Sequence, residues 1–253
     1  MFDSHAHYDD EKLASVADEL LTSLFAGEVS YVMNVACDLR SIASSAALAA
    51  RFPGKVFCSA GIHPEQCESI SASDAYDEVK KALGNPACRA IGEIGLDYHY
   101  DYPIDRQKEL FDAQLCLAEE TGTPVIIHDR DAHGDVCDLL RAHKKVGGIL
   151  HSFSGSAETA KEMLSLGWYI SFSGVLTFKN ARKTVEVASV VPDDRMLIET
   201  DCPYMAPEPE RGRINHSGRM KHTALKLAEL RGTDFETVRR LTRENALRVY
   251  GIK

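Results

Sequence analysis

Short apolar runs bounded by turn residues recur along the chain, separated by amphipathic stretches. Eight of these runs predict β-strands: Met1–Ser4, Tyr31–Ala36, Val56–Gly61, Ala90–Gly95, Pro124–His128, Gly148–His151, Tyr169–Ser173 and Met196–Thr200. Most are apolar nearly throughout instead of alternating, which is the pattern of parallel strands covered on both faces. The segments between them follow the helical period. Asp10–Phe25 puts Leu13, Val16, Ala17, Leu20, Leu21 and Leu24 on one side. Ile104–Glu120 does the same with Leu110, Phe111, Gln114, Leu115 and Ala118, and ends at Gly122 ahead of Pro124. Ala157–Leu166 stops at Gly167, a residue that readily terminates helices. Two more helices, Gly218–Arg231 and Asp234–Tyr250, close the chain, the second opened by Thr233-Asp234 as an N-cap.

Strands alternating with helices predict parallel β-α units. Eight strands select a closed (β/α)8 TIM-type barrel over an open doubly wound sheet. The length, 253 residues, suits one such barrel, and with no repeat, linker or low-complexity tract a single domain over residues 1–253 is expected. The irregular stretch Pro203–Ser217 follows the eighth strand, which places it over the C-terminal mouth of the barrel, where loops carry function.

Composition narrows the classes. Hydrophobic residues make up 44% and charged residues 26%, an ordinary balance for a folded domain. The formal net charge of −9 argues against a broadly basic nucleic-acid-binding face. It leaves room for a nuclease whose cleft gathers positive charge from bound cations. Seven cysteines without Cys-x-x-Cys spacing point to reduced thiols and a cytoplasmic setting. No apolar run reaches roughly 18 residues, so no membrane association is expected, and nothing calls for an obligate protein partner.

The chemistry is expected where barrels hold it, at the C-terminal ends of the strands. The polar residues there are His5, His7, His63, Glu93, His128, His151 and Asp201. Each is a type that binds divalent cations, and most follow a strongly apolar run, where an ionisable group is costly unless paired or metal-bound. His63 sits beyond its strand and reads as a substrate contact instead of a ligand. Glu93, flanked by Gly92 and Gly95, has two oxygens that can bridge two metals. Six ligands, His5, His7, Glu93, His128, His151 and Asp201, suffice for a pair of divalent cations that activate water for hydrolysis. Asp201 can also orient or deprotonate that water.

The stretches Asp3-Ser4-His5-Ala6-His7, Gly61-Ile62-His63-Pro64, Gly92-Glu93-Ile94-Gly95-Leu96-Asp97-Tyr98, Pro124-Val125-Ile126-Ile127-His128, His151-Ser152-Phe153-Ser154-Gly155 and Glu199-Thr200-Asp201-Cys202-Pro203-Tyr204 resemble the TatD family of metal-dependent deoxyribonucleases, within the amidohydrolase-like barrels. The resemblance runs the length of the chain. It implies a (β/α)8 barrel with 3′→5′ exonuclease or related phosphodiesterase activity on DNA, commonly magnesium-dependent. It assigns His5, His7, Glu93 and Asp201 to one metal, and Glu93, His128 and His151 to the other. It also implies that His63 and Arg130 meet the substrate phosphate, a task the guanidinium fork suits. An imidazole-rich set accepts zinc or manganese as well. One stretch departs from the family pattern: Arg211-Gly212-Arg213-Ile214-Asn215-His216-Ser217 lacks the usual proline after the asparagine. An amidohydrolase-like enzyme acting on a small ester, lactone or phosphotriester is the alternative reading, and a non-catalytic metal-binding scaffold is a further one.

Overall fold

A computed structural model describes every residue, 1–253. Eight parallel strands pair in chain order: β1 (Phe2–Ala6), β2 (Tyr31–Asn34), β3 (Val56–Ala60), β4 (Cys88–Asp97), β5 (Val125–Arg130), β6 (Gly148–Leu150), β7 (Tyr169–Phe172) and β8 (Met196–Ile198). The register runs through Phe2↔Tyr31, Val32↔Val56, Ser59↔Ala90, Gly95↔His128, Ile127↔Leu150, Leu150↔Ile170 and Phe172↔Ile198. The sheet closes on itself just beyond β8. The Asp201 N–H donates to the His5 carbonyl at 2.9 Å, and the His7 N–H donates to the Cys202 carbonyl at 2.8 Å. The expected TIM-type barrel is the one observed.

A helix follows each strand: α1 (Ala17–Phe25), α2 (Leu39–Arg51), α3 (Ala72–Ala82), α4 (Ile104–Thr121), α5 (His133–Ala142), α6 (Ala157–Ser165), α7 (Arg182–Val190) and α8 (Met220–Arg231), with α9 (Phe235–Val249) last. α1 starts later than the apolar spacing from Asp10 predicts. Side chains satisfy the backbone ahead of it in a non-helical path: Asn34 Oδ1 accepts from the Tyr8 N–H at 2.7 Å, and Asp10 Oδ1 accepts from the Lys12 N–H at 2.9 Å.

The buried apolar residues divide into two clusters. The larger joins the outward faces of the strands to the helices, with Val32, Ile91, Ile127, Phe111, Trp168 and Leu227 among its members. The smaller fills the barrel: Phe2, Met33, Phe57, Ala90, Ile126, Ile149, Tyr169 and Leu197 pack together, with Ala246 and Tyr250 of the C-terminal segment among them. The Tyr250 hydroxyl donates to the Ser4 carbonyl at 2.7 Å. This plug fixes the lower half of the barrel and leaves polar side chains to the upper half.

Candidate metal centre

Side chains two residues apart on a strand share a face. His128 therefore stands above Ile126, His151 above Ile149, and Glu199 above Leu197, all on top of the apolar plug. In β1 and β4 the pairing register shifts, between Asp3 and Ala6 and between Ile91 and Ile94. Those are the places where His5 and Glu93 sit. Irregularities of this kind re-aim a side chain. Glycines let β4 lie tightly on β5. A Cβ on Gly92 would come 2.7 Å from the Ile126 Cβ, and one on Gly95, whose φ is +147°, would come 1.9 Å from the His128 carbonyl oxygen.

Glu93 is 4% exposed and stands between two groups of donors. Its Oε2 faces His5 Nε2 at 3.3 Å and His7 Nε2 at 3.8 Å. Its Oε1 faces His128 Nδ1 at 2.7 Å and His151 Nε2 at 2.8 Å. Asp201 completes the first group, with Oδ1 3.4 Å from His7 Nε2 and 3.7 Å from His5 Nε2. The backbone of Asp201 has φ +54°, a left-handed conformation that aspartate tolerates better than most residues. The two groups touch: the His5 and His151 rings stack with centroids 3.9 Å apart. All six residues expected to converge at one rim do so.

The far nitrogen of three imidazoles is already engaged, which decides what the near one offers. His7 Nδ1 donates to the Val35 carbonyl at 2.9 Å, so Nε2 is the inward-facing atom and offers its lone pair to an ion once its proton has left. His151 Nδ1 lies 3.2 Å from Glu199 Oε1, and His128 Nε2 lies 3.0 Å from Asp97 Oδ2. Buried Glu199 and Asp97 thus fix the two rings that face Glu93 Oε1. Sequence reasoning missed both carboxylates in this role. The available signal was the same as for Glu93, a carboxylate set in an apolar strand. Cys37 is a further neighbour, its Sγ 3.7 Å from Glu93 Oε2.

Electrostatics agree with this arrangement. Burial alone would raise the Glu93 carboxyl, but the imidazoles of His151 and His5 and hydrogen bonds from His128 and His151 hold it well below the usual range. Burial would likewise lower His128, yet hydrogen bonds to Asp97 and Glu93 raise it to about 9. His151 is raised well above its ordinary value by Glu93 and Glu199, again against the effect of burial. A centre whose carboxylates draw protons onto neighbouring imidazoles offers the same attraction to a metal cation. Donors of nitrogen and oxygen with their rear atoms anchored are what divalent ions require. His5, His7, Glu93 and Asp201 could hold one ion, and Glu93, His128 and His151 another.

His63 behaves differently. Its Nδ1 accepts from the Glu65 N–H at 3.3 Å, so Nε2 carries the proton and faces Glu93 Oε1 at 3.9 Å. Burial, together with the nearby His128, pushes its pKa down to about 3. His63 is thus a neutral hydrogen-bond donor at the rim. Arg130 is exposed at the end of β5, its guanidinium 5.2 Å from the Tyr100 ring centroid. Neither flanking aspartate pairs with it: Asp129 Oδ2 lies 2.6 Å from His133, and Asp131 Oδ2 lies 3.5 Å from His99.

Two buried glutamines on α4 brace this side. Gln114 exchanges hydrogen bonds with the Ile62 N–H and carbonyl at 2.8 and 3.0 Å, and Gln107 does so with Asp97 at 2.8 and 2.9 Å. The loop after β8 is tied down without the missing proline. Buried Asn215 donates from Nδ2 to the Thr200 carbonyl at 2.9 Å and to the Tyr204 carbonyl at 2.8 Å.

Residues 2–251 match the family of TatD-related DNases. The chain belongs to that family. Among curated relatives, YabD of Bacillus subtilis, described as a metal-dependent hydrolase, is 39% identical over 100% of this chain and 99% of its own length. YcfH of Escherichia coli, described in the same words, is 36% identical over 100% of this chain and 96% of its own. Among solved structures, the TatD homologue YjjV of Escherichia coli superposes with a TM-score of 0.92 at 28% identity, covering 100% of this chain and 98% of that one. At the level of reaction class, this TatD-family chain is a metal-dependent hydrolase. No helix in it is long and apolar enough to cross a membrane.

Proposed function

We propose that this chain hydrolyses phosphodiester bonds of DNA as a 3′→5′ exonuclease, using two divalent cations held on either side of Glu93. The observation that carries the reading is the division of the Glu93 carboxylate, with Oε2 toward His5 and His7 and Oε1 toward His128 and His151. Bound there, the cations would offset charge on a phosphoryl oxygen and make a nearby water more acidic. Magnesium fits the reaction, and the imidazole-rich set accepts manganese or zinc as well.

The protein's own groups do the rest. Asp201, held ionised by His7 and His5 against the effect of burial, takes the proton of the attacking water as the P–O bond to the 3′-oxygen of the shortened strand breaks and that oxygen takes a proton from solvent. The neutral His63 donates a hydrogen bond to a phosphate oxygen through Nε2, and Arg130 offers its guanidinium to the same group. The match of residues 2–251 to the family of TatD-related DNases supports DNA as the substrate.

The test is an oligonucleotide labelled at its 3′ or 5′ end, incubated with chelated enzyme and then with added magnesium, manganese or zinc. Activity should vanish on chelation, return with metal and release the 3′ label first. Glu93→Gln should lower the rate by about a thousandfold, equivalent to roughly 4 kcal/mol of lost transition-state stabilisation. Full activity in that variant would refute the two-cation reading. The net charge of −9 favours a second reading, hydrolysis of a small ester, lactone or phosphotriester. A panel of such substrates run beside single-stranded and duplex DNA separates the two.

A further inference from the structure

A second set of metal-binding side chains gathers on the outer layer, away from the barrel mouth. α4 buries Leu110, Phe111, Leu115 and Ala118 against the sheet and carries Asp112, Cys116 and Glu119 along another strip, at i, i+4 and i+7. His143, which ends α5, tucks its ring against this strip and is 8% exposed. Its Nε2 lies 2.9 Å from Asp112 Oδ1, and its Nδ1 lies 3.7 Å from Glu119 Oε1. One ligand atom from each of Asp112, Cys116 and His143 lies within 4.8 Å of the other two. Of the seven cysteines, Cys116 is the one exposed to solvent, the others being buried or half-buried.

We propose that Asp112, Cys116 and His143 form a peripheral site for a thiophilic divalent cation of the zinc class, joining α4 to the end of α5. A sulfur, an imidazole nitrogen and a carboxylate oxygen are donors that zinc takes together, with ligand distances of about 2.0–2.3 Å and a tetrahedral arrangement. That arrangement sets donor-to-donor separations of roughly 3.3–3.8 Å. Asp112 and Cys116 are both exposed on the helix surface, so their side chains are free to turn toward an ion beside His143. Glu119, its Oε1 3.7 Å from Nδ1, stands where a carboxylate that orients a metal-bound histidine would sit. Cys116 gives its proton to solvent as the ion binds. The fourth position faces solvent. Sulfur sets this site apart from the six nitrogen and oxygen donors expected at the barrel mouth, where Cys37 is the one thiol nearby.

The experiment is a titration of reduced, metal-free, full-length protein with Co2+, read by absorption, followed by displacement with Zn2+. Cobalt bound to a thiolate gives a sulfur-to-metal charge-transfer band that histidine and carboxylate ligands cannot give. The band is expected in the wild type and in Cys37→Ser, which removes the one thiol beside Glu93. It should be absent in Cys116→Ser, where one fewer Co2+ binds per chain. In Asp112→Asn the band should need about tenfold more cobalt or greater. A wild-type titration without the band, a band that survives Cys116→Ser, or one that disappears with Cys37→Ser would overturn the proposal. None of these readouts depends on catalytic activity, so the nuclease reading can fail while this site stands.

Discussion

A histidine that binds through one nitrogen is aimed by whatever holds the other. Glu199 Oε1, 3.2 Å from His151 Nδ1, does this for the ring that meets Glu93 at 2.8 Å. Glu199→Gln keeps an acceptor there and removes the charge. Metal affinity, measured by calorimetric titration with manganese, should fall by about 10–100-fold. An unchanged affinity would mean the ring is held by packing alone. His5, Glu93, His128, His151 and Asp201 were legible in the sequence because a polar, ionisable residue at the end of an apolar run needs a reason. Glu199 and Asp97 carry the same signal, but their task depends on which ring they face, and only the folded barrel sets that pairing. The tautomer of His63 was hidden for the same reason, since it follows from the Glu65 N–H that His63 accepts.

Strand cores were readable and strand ends were not. β4 runs on to Asp97, and β5 on to Arg130, because backbone pairing continues through Leu96↔Asp129 and Asp97↔Arg130 after the apolar pattern stops. The register shifts that aim His5 and Glu93 leave no mark in an alternation count. Gly95 is the element-level counterpart of Glu93. With φ +147° and no room for a Cβ beside the His128 carbonyl, it lets β4 and β5 meet where both carry site residues. Gly95→Ala should therefore destabilise the fold by at least about 2 kcal/mol in urea unfolding. It should also weaken metal binding, because the strands bearing Glu93 and His128 must part. Wild-type stability would show that the strands absorb the methyl without moving. The buried glutamines of α4 belong to this scale too. Gln114 reads from sequence as part of an apolar face, yet its amide grips the Ile62 backbone next to His63.

In the molecule as a whole, support and chemistry lie at opposite ends of the barrel. Tyr250 packs in the lower plug with Phe2 and Phe57, their ring centroids 5.8 Å apart for Phe2–Tyr250 and 6.4 Å for Phe2–Phe57. Tyr250→Phe, which loses the hydrogen bond to Ser4, should cost about 1 kcal/mol. Tyr250→Ala should cost about 3–5 kcal/mol by chemical denaturation, with the rate per folded molecule preserved. A fall in that rate would mean the plug also shapes the mouth. The barrel itself was plain from eight apolar runs separated by helical segments. The bonds that close it were not, because they come from Asp201 and Cys202, beyond the last apolar run.

That seam has a consequence for the birth of the site. The backbone bonds joining His5 to Asp201 and His7 to Cys202 connect the first segment of the chain to the last strand. Such distant contacts form late and slowly, because the whole intervening loop must be ordered first. A ribosome-bound chain that has not yet emerged through its final strand lacks Asp201 beside His5 and His7, so the six side chains come together only when the ring is shut.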